Sequence, residues 1–339
     1  MKSRSVKILD CTLRDGGYVN DWNFGIDNIR DIVSGLNRAE IDFIECGFMK
    51  DTDYNINKSL YNLQENLTSA IPADIPREKL IAMIDYGEFD FTKLSDKNEK
   101  SIFGFRIIFK KKHLTEALAA AAKIQAKGYN IFINPTFINQ YTKEEFTNVI
   151  EQVNEINPYA FSIVDSMGIM HKNNAREFFE LADSKLNQNI TLCFHSHNNL
   201  QLSFTNALEL IKIKSTRDII IDSSLFGMGR GAGNIKTEFL INYLNEHQKK
   251  HYNLVPVLSL IHNIINKFFE EKPWGYSVPY YMAAQNFCHP NYASFLIEKN
   301  LAFETIDKIL KKIPENKKSC YDKNLIENLY NTITGEPVC

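Results

Sequence analysis

The chain lacks a CxxC pair, a long apolar run and any block of like charge. Its six cysteines, at 11, 46, 193, 288, 320 and 339, lie far apart. Three of them sit inside apolar runs, where a thiol behaves as a small buried hydrophobe. That spacing points to reduced thiols rather than a disulfide framework. No apolar stretch approaches the roughly 20 residues that span a bilayer. The opening Met-Lys-Ser-Arg-Ser-Val-Lys leads into a strand-like run without a signal-peptide core. The expectation is a cytoplasmic protein with no membrane partner. Lysine and arginine are scattered and the formal net charge is −2, so the basic footprint of a nucleic-acid binder is missing.

What is present is an ordinary apolar content, 44% of 339 residues, enough for a large core. Short runs rich in Ile, Val and Phe recur at Val6–Thr12, Phe43–Phe48, Leu80–Tyr86, Ile102–Phe109, Tyr129–Thr136, Phe161–Ser166, Ile190–His197 and Ile219–Phe226. Their near-continuous apolar character marks parallel strands buried on both faces. Segments between them, such as Ile26–Ala39, Lys143–Asn157 and Leu200–Ile213, carry apolar residues at helical spacing. Eight such units predict a (β/α)8 TIM barrel over residues 1–250, with an open doubly wound sheet as the competitor. Beyond Tyr252 the strand rhythm stops. Residues 251–339, punctuated by Pro256, Pro273, Pro279, Pro290 and Pro314, predict a C-terminal helical extension packed on one mouth of the barrel. Its aromatic cluster, Trp274, Tyr276, Tyr280 and Tyr281, is expected in a core.

In a parallel barrel, polar strand ends converge on the C-terminal face. The first run leads to Arg14-Asp15, and the seventh ends in His195-Ser196-His197. Residues two apart on a strand point the same way, about 6.5 Å apart, so both imidazoles can reach one ion. The first and seventh runs flank the eighth in a closed barrel, which makes Asp15 the expected third ligand. One carboxylate and two imidazoles with open positions suit Mg²⁺ or Mn²⁺. His-x-His alone serves equally well as a polar strand end. Glu45 lies in an apolar run and needs a partner; Arg14 on the adjacent strand is the natural one. Orienting Arg14 is then its first role and acid–base work its second. Arg106 and Asp165-Ser166 are expected at the barrel axis or mouth, touching substrate or forming a buried polar network. Gly227, Gly229, Gly231 and Gly233 allow tight turns that can cradle an anionic group.

Thr12-Leu-Arg-Asp-Gly16, His195-Ser-His-Asn-Asn199 and Gly227-Met-Gly-Arg-Gly-Ala-Gly-Asn234 together resemble the divalent-metal barrel lyases and aldolases. That group includes 4-hydroxy-2-oxovalerate aldolase, hydroxymethylglutaryl-CoA lyase and the isopropylmalate synthases. The resemblance covers the whole barrel in order, and the aldolase branch matches best, including Asn291-Tyr292-Ala-Ser-Phe-Leu in the extension. It implies Asp15, His195 and His197 as metal ligands, with Asn234 either a fourth contact or a helix cap. It implies that Arg14 stabilises an enolate oxygen and that Tyr292 is an acid reaching over the mouth.

One position departs from the pattern. The 4-hydroxy-2-oxo acid aldolases carry an acid–base histidine where this chain has Tyr18, and a phenol with a pKa near 10 is a poorer base. Tyr18 tuned by its surroundings, a metal-bound water, or a different substrate are the alternatives. The resemblance therefore implies an aldolase acting on a 2-oxo acid and an aldehyde. An acyl-CoA Claisen lyase or synthase and a non-catalytic metal-binding subunit are the rivals. The synthases follow Arg-Asp-Gly with Glu-Gln, where this chain has Gly17-Tyr18. A biotin-linked carboxyltransferase needs a lysine on the fifth run, which offers none. A Schiff-base aldolase needs a buried lysine, and Lys50, Lys110 and Lys172 are expected in solvent. In relatives the extension helps form oligomers and docks a dehydrogenase; the resemblance implies a homo-oligomer and leaves the dehydrogenase open.

Overall fold

The computed structural model describes residues 4–335, so the N-terminal Met-Lys-Ser and Cys339 lie outside the described residues. Its strands are β1 (Val6–Asp10), β2 (Phe43–Met49), β3 (Leu60–Tyr61), β4 (Leu80–Asp85), β5 (Gly104–Phe109), β6 (Asn130–Pro135), β7 (Ala160–Asp165), β8 (Thr191–Ser196) and β9 (Ile219–Ser223). They run parallel in the order β1-β9-β8-β7-β6-β5-β4-β2, and β1 pairs again with β2 through Leu9–Phe43 and Asp10–Ile44. That second pairing closes an eight-stranded TIM barrel. The two-residue β3 hangs on the edge of β2 outside it. Helices Ile26–Arg38, Leu114–Ala126, Lys143–Ile156, Lys172–Lys185, Ser203–Lys212 and Thr237–His247 surround the strands. Among the described residues, no helix is long and apolar enough to cross a membrane.

The alternation of side chains along each strand sorts the barrel interior into layers. Leu9, Phe43, Ile81, Phe132, Ala160, Cys193 and Ile220, with Phe103 and Tyr159, form an apolar plug. Two residues further along their strands stand Glu45, Met83, Asn134, Ser162, His195 and Asp222, all buried. A further step of two reaches Asp85, Thr136, Val164 and His197, which line a cavity at the C-terminal mouth. The plug is thus the floor that holds the polar layer in place. Emptying it, as in Phe132→Ala, is expected to cost about 3–5 kcal/mol.

The extension divides between two cores. Helix Leu254–Leu260 and the turns after it place Val257, Leu260, Ile264 and Ile265 in the main core around the barrel. Helices Val278–Gln285, Pro290–Ile297, Phe303–Lys312 and Lys323–Thr334 enclose a separate cluster that includes Ala283, Tyr292, Leu296, Leu310 and Ile326. The aromatic cluster expected in a core is split. Trp274 packs against Phe226 and Phe269, whereas Tyr276 and Tyr281 are exposed.

Candidate active site

β1 stops at Asp10, short of the Arg14-Asp15 pair, which sits on a helical turn at Thr12–Asp15. Asp10 makes that turn. Its carboxylate accepts from the Thr12 amide at 2.9 Å and from Thr237 Oγ1 at 2.7 Å. Burial pushes the Asp10 carboxyl up to about 6, against these hydrogen bonds. The Trp22 indole then donates to the Arg14 carbonyl at 2.8 Å. Only glycine permits this at position 17, where a Cβ would lie 2.0 Å from the indole.

Asp15, His195 and His197 converge: one ligand atom from each lies within 4.8 Å of the others, and all three residues are buried. His195 Nδ1 is 3.0 Å from Asp222 Oδ2. Burial works against ionisation of Asp222, but Arg106 and His195 hold its pKa below the usual carboxylate range. A carboxylate there fixes the proton on His195 Nδ1 and leaves the Nε2 lone pair free. Burial pushes His197 down to about 3, with Asp15 opposing, so the ring is neutral. Its Nδ1 is buried without a hydrogen-bond partner, 3.8 Å from Asp15 Oδ2. Asp15 itself is ionised: the Arg14 guanidinium, 2.7 Å from its Oδ1, holds the carboxyl below the usual range against burial.

Asn234 lies beside the group. Its Nδ2 donates to Asp15 Oδ2 at 2.5 Å, and its Oδ1 is buried with no partner. A Cβ at Gly229 would lie 2.3 Å from that Nδ2 and 2.6 Å from Asp15 Oδ2, so the glycine is what allows the loop to close over the cluster. Buried polar atoms are normally satisfied, and a cation would satisfy His197 Nδ1 and Asn234 Oδ1 together. A neutral His197 and an ionised Asp15 are also in the forms that bind metal. The donor set fits a divalent ion.

Beneath the cluster runs a chain of alternating charge. Arg14 bonds Asp15 Oδ1 at 2.7 Å and Glu45 Oε2 at 2.7 Å; Arg106 bonds the same Glu45 oxygen at 3.2 Å and Asp222 Oδ2 at 2.6 Å. Each charge is paired, as burial demands. The links tie Asp15, through four side chains, to His195. Arg14 NH2 is left buried and without a partner, while Arg14 also lines the cavity.

The cavity above has a volume of about 300 Å³. Arg14, Asp15, His195 and His197 line it together with Tyr18, Asp85, Lys110, Ser166, Arg230 and His289. Tyr18 packs edge-on to Trp22 and Phe48, under the Arg230 guanidinium. Burial raises the Tyr18 phenol above its ordinary pKa, with Arg230 opposing.

Residues 5–263 match the family model described as HMGL-like. The chain belongs to the HMGL-like family. A 4-hydroxy-2-oxovalerate aldolase from Moorella thermoacetica is 26% identical over 252 residues, covering 73% of this chain and 72% of that protein. The N-terminal domain of a Bacteroides vulgatus protein provisionally described as an aldolase superposes with a TM-score of 0.73 at 23% identity, covering 89% of this chain and 99% of that one. The HMG-CoA lyase of Bacillus subtilis superposes at 0.61 with 14% identity, covering 81% and 96%. These structural likenesses concern the fold.

Within this HMGL-like barrel, two positions, Tyr292 and Asp165, fall elsewhere than their sequence suggests. Tyr292 does not reach the mouth. It is buried in the core of the extension, its hydroxyl 3.0 Å from the carbonyls of Lys317 and Cys320 and accepting from the Asp322 amide at 3.1 Å. Of the two roles open to Arg106, the structure shows the buried network: it is sealed in the charge chain below the cavity and is not part of its lining. Asp165 points out of the barrel, where its carboxylate accepts from the amides of Ile169 and Met170 at 3.0 Å and so shapes the loop after β7. Lys110 is exposed, as expected, and also lines the cavity. Ser166 does line the cavity and accepts from the Phe137 amide at 2.9 Å.

Sequence reasoning missed Asp222, Asp85, Arg230 and His289. Asp222 and Asp85 are strand-end carboxylates in step with Ile220 and Ile81, so side-chain alternation alone carries a signal for both. His289 has no such signal. It comes from the extension, just before Pro290 starts a helix, and its Nδ1 accepts from the Asn291 amide at 3.2 Å.

Proposed function

We propose that this HMGL-like barrel is a divalent-metal-dependent aldolase. It would cleave a 4-hydroxy-2-oxo acid into pyruvate and an aldehyde, or run the reverse condensation. The observation that carries this reading is the convergence of Asp15, His195 and His197 beside the unpartnered NH2 of Arg14 in one cavity. When bound, Mg²⁺ or Mn²⁺ supplies Lewis acidity toward the carboxylate and keto oxygens of a 2-oxo acid.

Arg14 is permanently charged and clamped by Glu45 and Asp15, so its free NH2 is a rigid donor for the oxygen on which enolate charge develops. A preorganised donor of this kind contributes about 3–4 kcal/mol to transition-state stabilisation. Glu45 positions Arg14 and moves no proton.

At the other end of the scissile bond, Tyr18 and His289 are donors. Burial drives His289 well below its ordinary pKa, with the Arg230 and Lys110 cations adding to the effect. Its Nδ1 accepts from Asn291, so the neutral ring carries its proton on Nε2 and offers it to the C4 oxygen. The base is then Asp85, whose carboxyl is pushed up to about 6 by burial and Glu88, close to the working pH of a general base. In cleavage, the C4 hydroxyl proton passes to Asp85 and the C4–O bond becomes a carbonyl. The C3–C4 electron pair moves into the enolate of pyruvate, whose C3 then takes a proton from water.

A metal-stripped preparation should release no pyruvate from 4-hydroxy-2-oxopentanoate in a coupled lactate dehydrogenase assay, and added Mn²⁺ should restore release. Equal turnover with and without metal contradicts the reading.

A further inference from the structure

The cavity is lined by two arginines, and they are placed very differently. Arg14 is neutralised by Glu45 and Asp15. Arg230 forms no ion pair among the described residues, and its Nε is buried with no hydrogen-bond partner. Its guanidinium carbon lies 5.2 Å from the Tyr18 ring centroid, a cation–π contact that holds the fork over the cavity. The glycine-rich loop delivers it there. Gly231 has φ +65°, and a Cβ on it would lie 2.7 Å from Asn199 Oδ1 and 3.2 Å from Pro290 Cβ, so the loop is pressed between barrel and extension.

Lys110 and His289 line the same cavity. Asp85 lines the cavity as well, and the Lys110 charge favours its carboxylate. Arg230 has no ion-pair partner among the described residues, although its charge also favours the Asp15 carboxylate. A partly desolvated guanidinium without a partner is costly, and its planar fork matches carboxylate and phosphate oxygens.

We infer that the part of the cavity beside Arg230 is an anion subsite, and that the aldehyde partner carries an acidic group, a carboxylate or a phosphate, held by Arg230 with Lys110 beside it. This rests on the aldolase reading, which assigns the carboxylate of the 2-oxo acid to the Asp15–His195–His197 end. Asn291, Ser319 and Tyr321 of the extension line the cavity as neutral hydrogen-bonding groups. The extension would therefore help define the partner.

The test compares kcat/KM for condensation of pyruvate with matched aldehydes on the Mn²⁺-loaded full chain. Succinic semialdehyde is set against butanal, and glyceraldehyde 3-phosphate against glyceraldehyde. One acidic partner should be favoured over its neutral match by roughly 10- to 100-fold, and the favoured pair identifies the acidic group. In Arg230→Met the ratio should collapse toward one, and in Arg230→Lys it should be partly kept. Exchange of the pyruvate methyl protons is followed in the same samples. Exchange with no preference for either acidic aldehyde overturns this inference alone, and so does a preference that survives in Arg230→Met. If Arg230→Met leaves the ratio intact but raises the pyruvate KM for exchange tenfold, the arginine holds the 2-oxo acid instead. No exchange in the wild-type chain overturns the aldolase reading and this inference together.

Discussion

His195 Nδ1 lies 3.0 Å from an Asp222 oxygen that also accepts from Arg106 at 2.6 Å. The contact joins the ends of the neighbouring strands β8 and β9 and sets which nitrogen of His195 is free. Asp222→Asn keeps the shape but weakens this hold. Metal affinity should fall about 10- to 100-fold, as is usual when a ligand histidine loses its supporting carboxylate. Titration calorimetry with Mn²⁺ measures it, with circular dichroism to confirm folding; an unchanged Kd contradicts the assignment.

Arg14→Lys keeps the charge between Glu45 and Asp15 but removes the fork that bonds both and leaves NH2 free. Mn²⁺ should still bind, while kcat falls about 100-fold or more. Comparable losses in metal affinity and kcat would show instead that Arg14 acts only by holding Asp15.

Asp85 gives the pH dependence a defined sign. A base must be ionised, and burial sets this carboxyl at about 6. Cleavage should therefore fall tenfold per unit as pH drops below about 6 and level off above it. Asp85→Asn should be slower throughout, by about 100-fold, and lack the acidic limb. An acidic limb that persists in Asp85→Asn removes Asp85 from the mechanism.

Tyr292→Phe separates packing from chemistry. The hydroxyl serves Lys317, Cys320 and Asp322 inside the extension. Its loss should cost about 1 kcal/mol of stability in urea unfolding and leave kcat within twofold. A hundredfold loss of kcat in a folded variant would return Tyr292 to the active site.

Much of this site was legible because strands repeat every two residues. His195 and His197 share a face, as do Glu45 and the plug residue Phe43, and the Arg14–Glu45 pair followed from a buried charge needing a partner on the next strand. The same period explains the error at Asp165: one residue on, Ser166 reaches the cavity and Asp165 faces the loop. Helices are less forgiving. In Pro290–Ile297 each residue turns about 100°, so Asn291 lines the cavity while Tyr292 faces the extension's core. Arg230 and His289 meet only because the glycine-rich loop packs against the extension, a tertiary contact that no local period encodes.

The most direct test of the central claim is exchange of the pyruvate methyl protons in D₂O, followed by proton NMR with Mn²⁺, with EDTA, and in His197→Ala. The account expects metal-dependent exchange in the wild-type chain, lost with EDTA and in the variant. Exchange that continues in EDTA, or at full rate in folded His197→Ala, would contradict it.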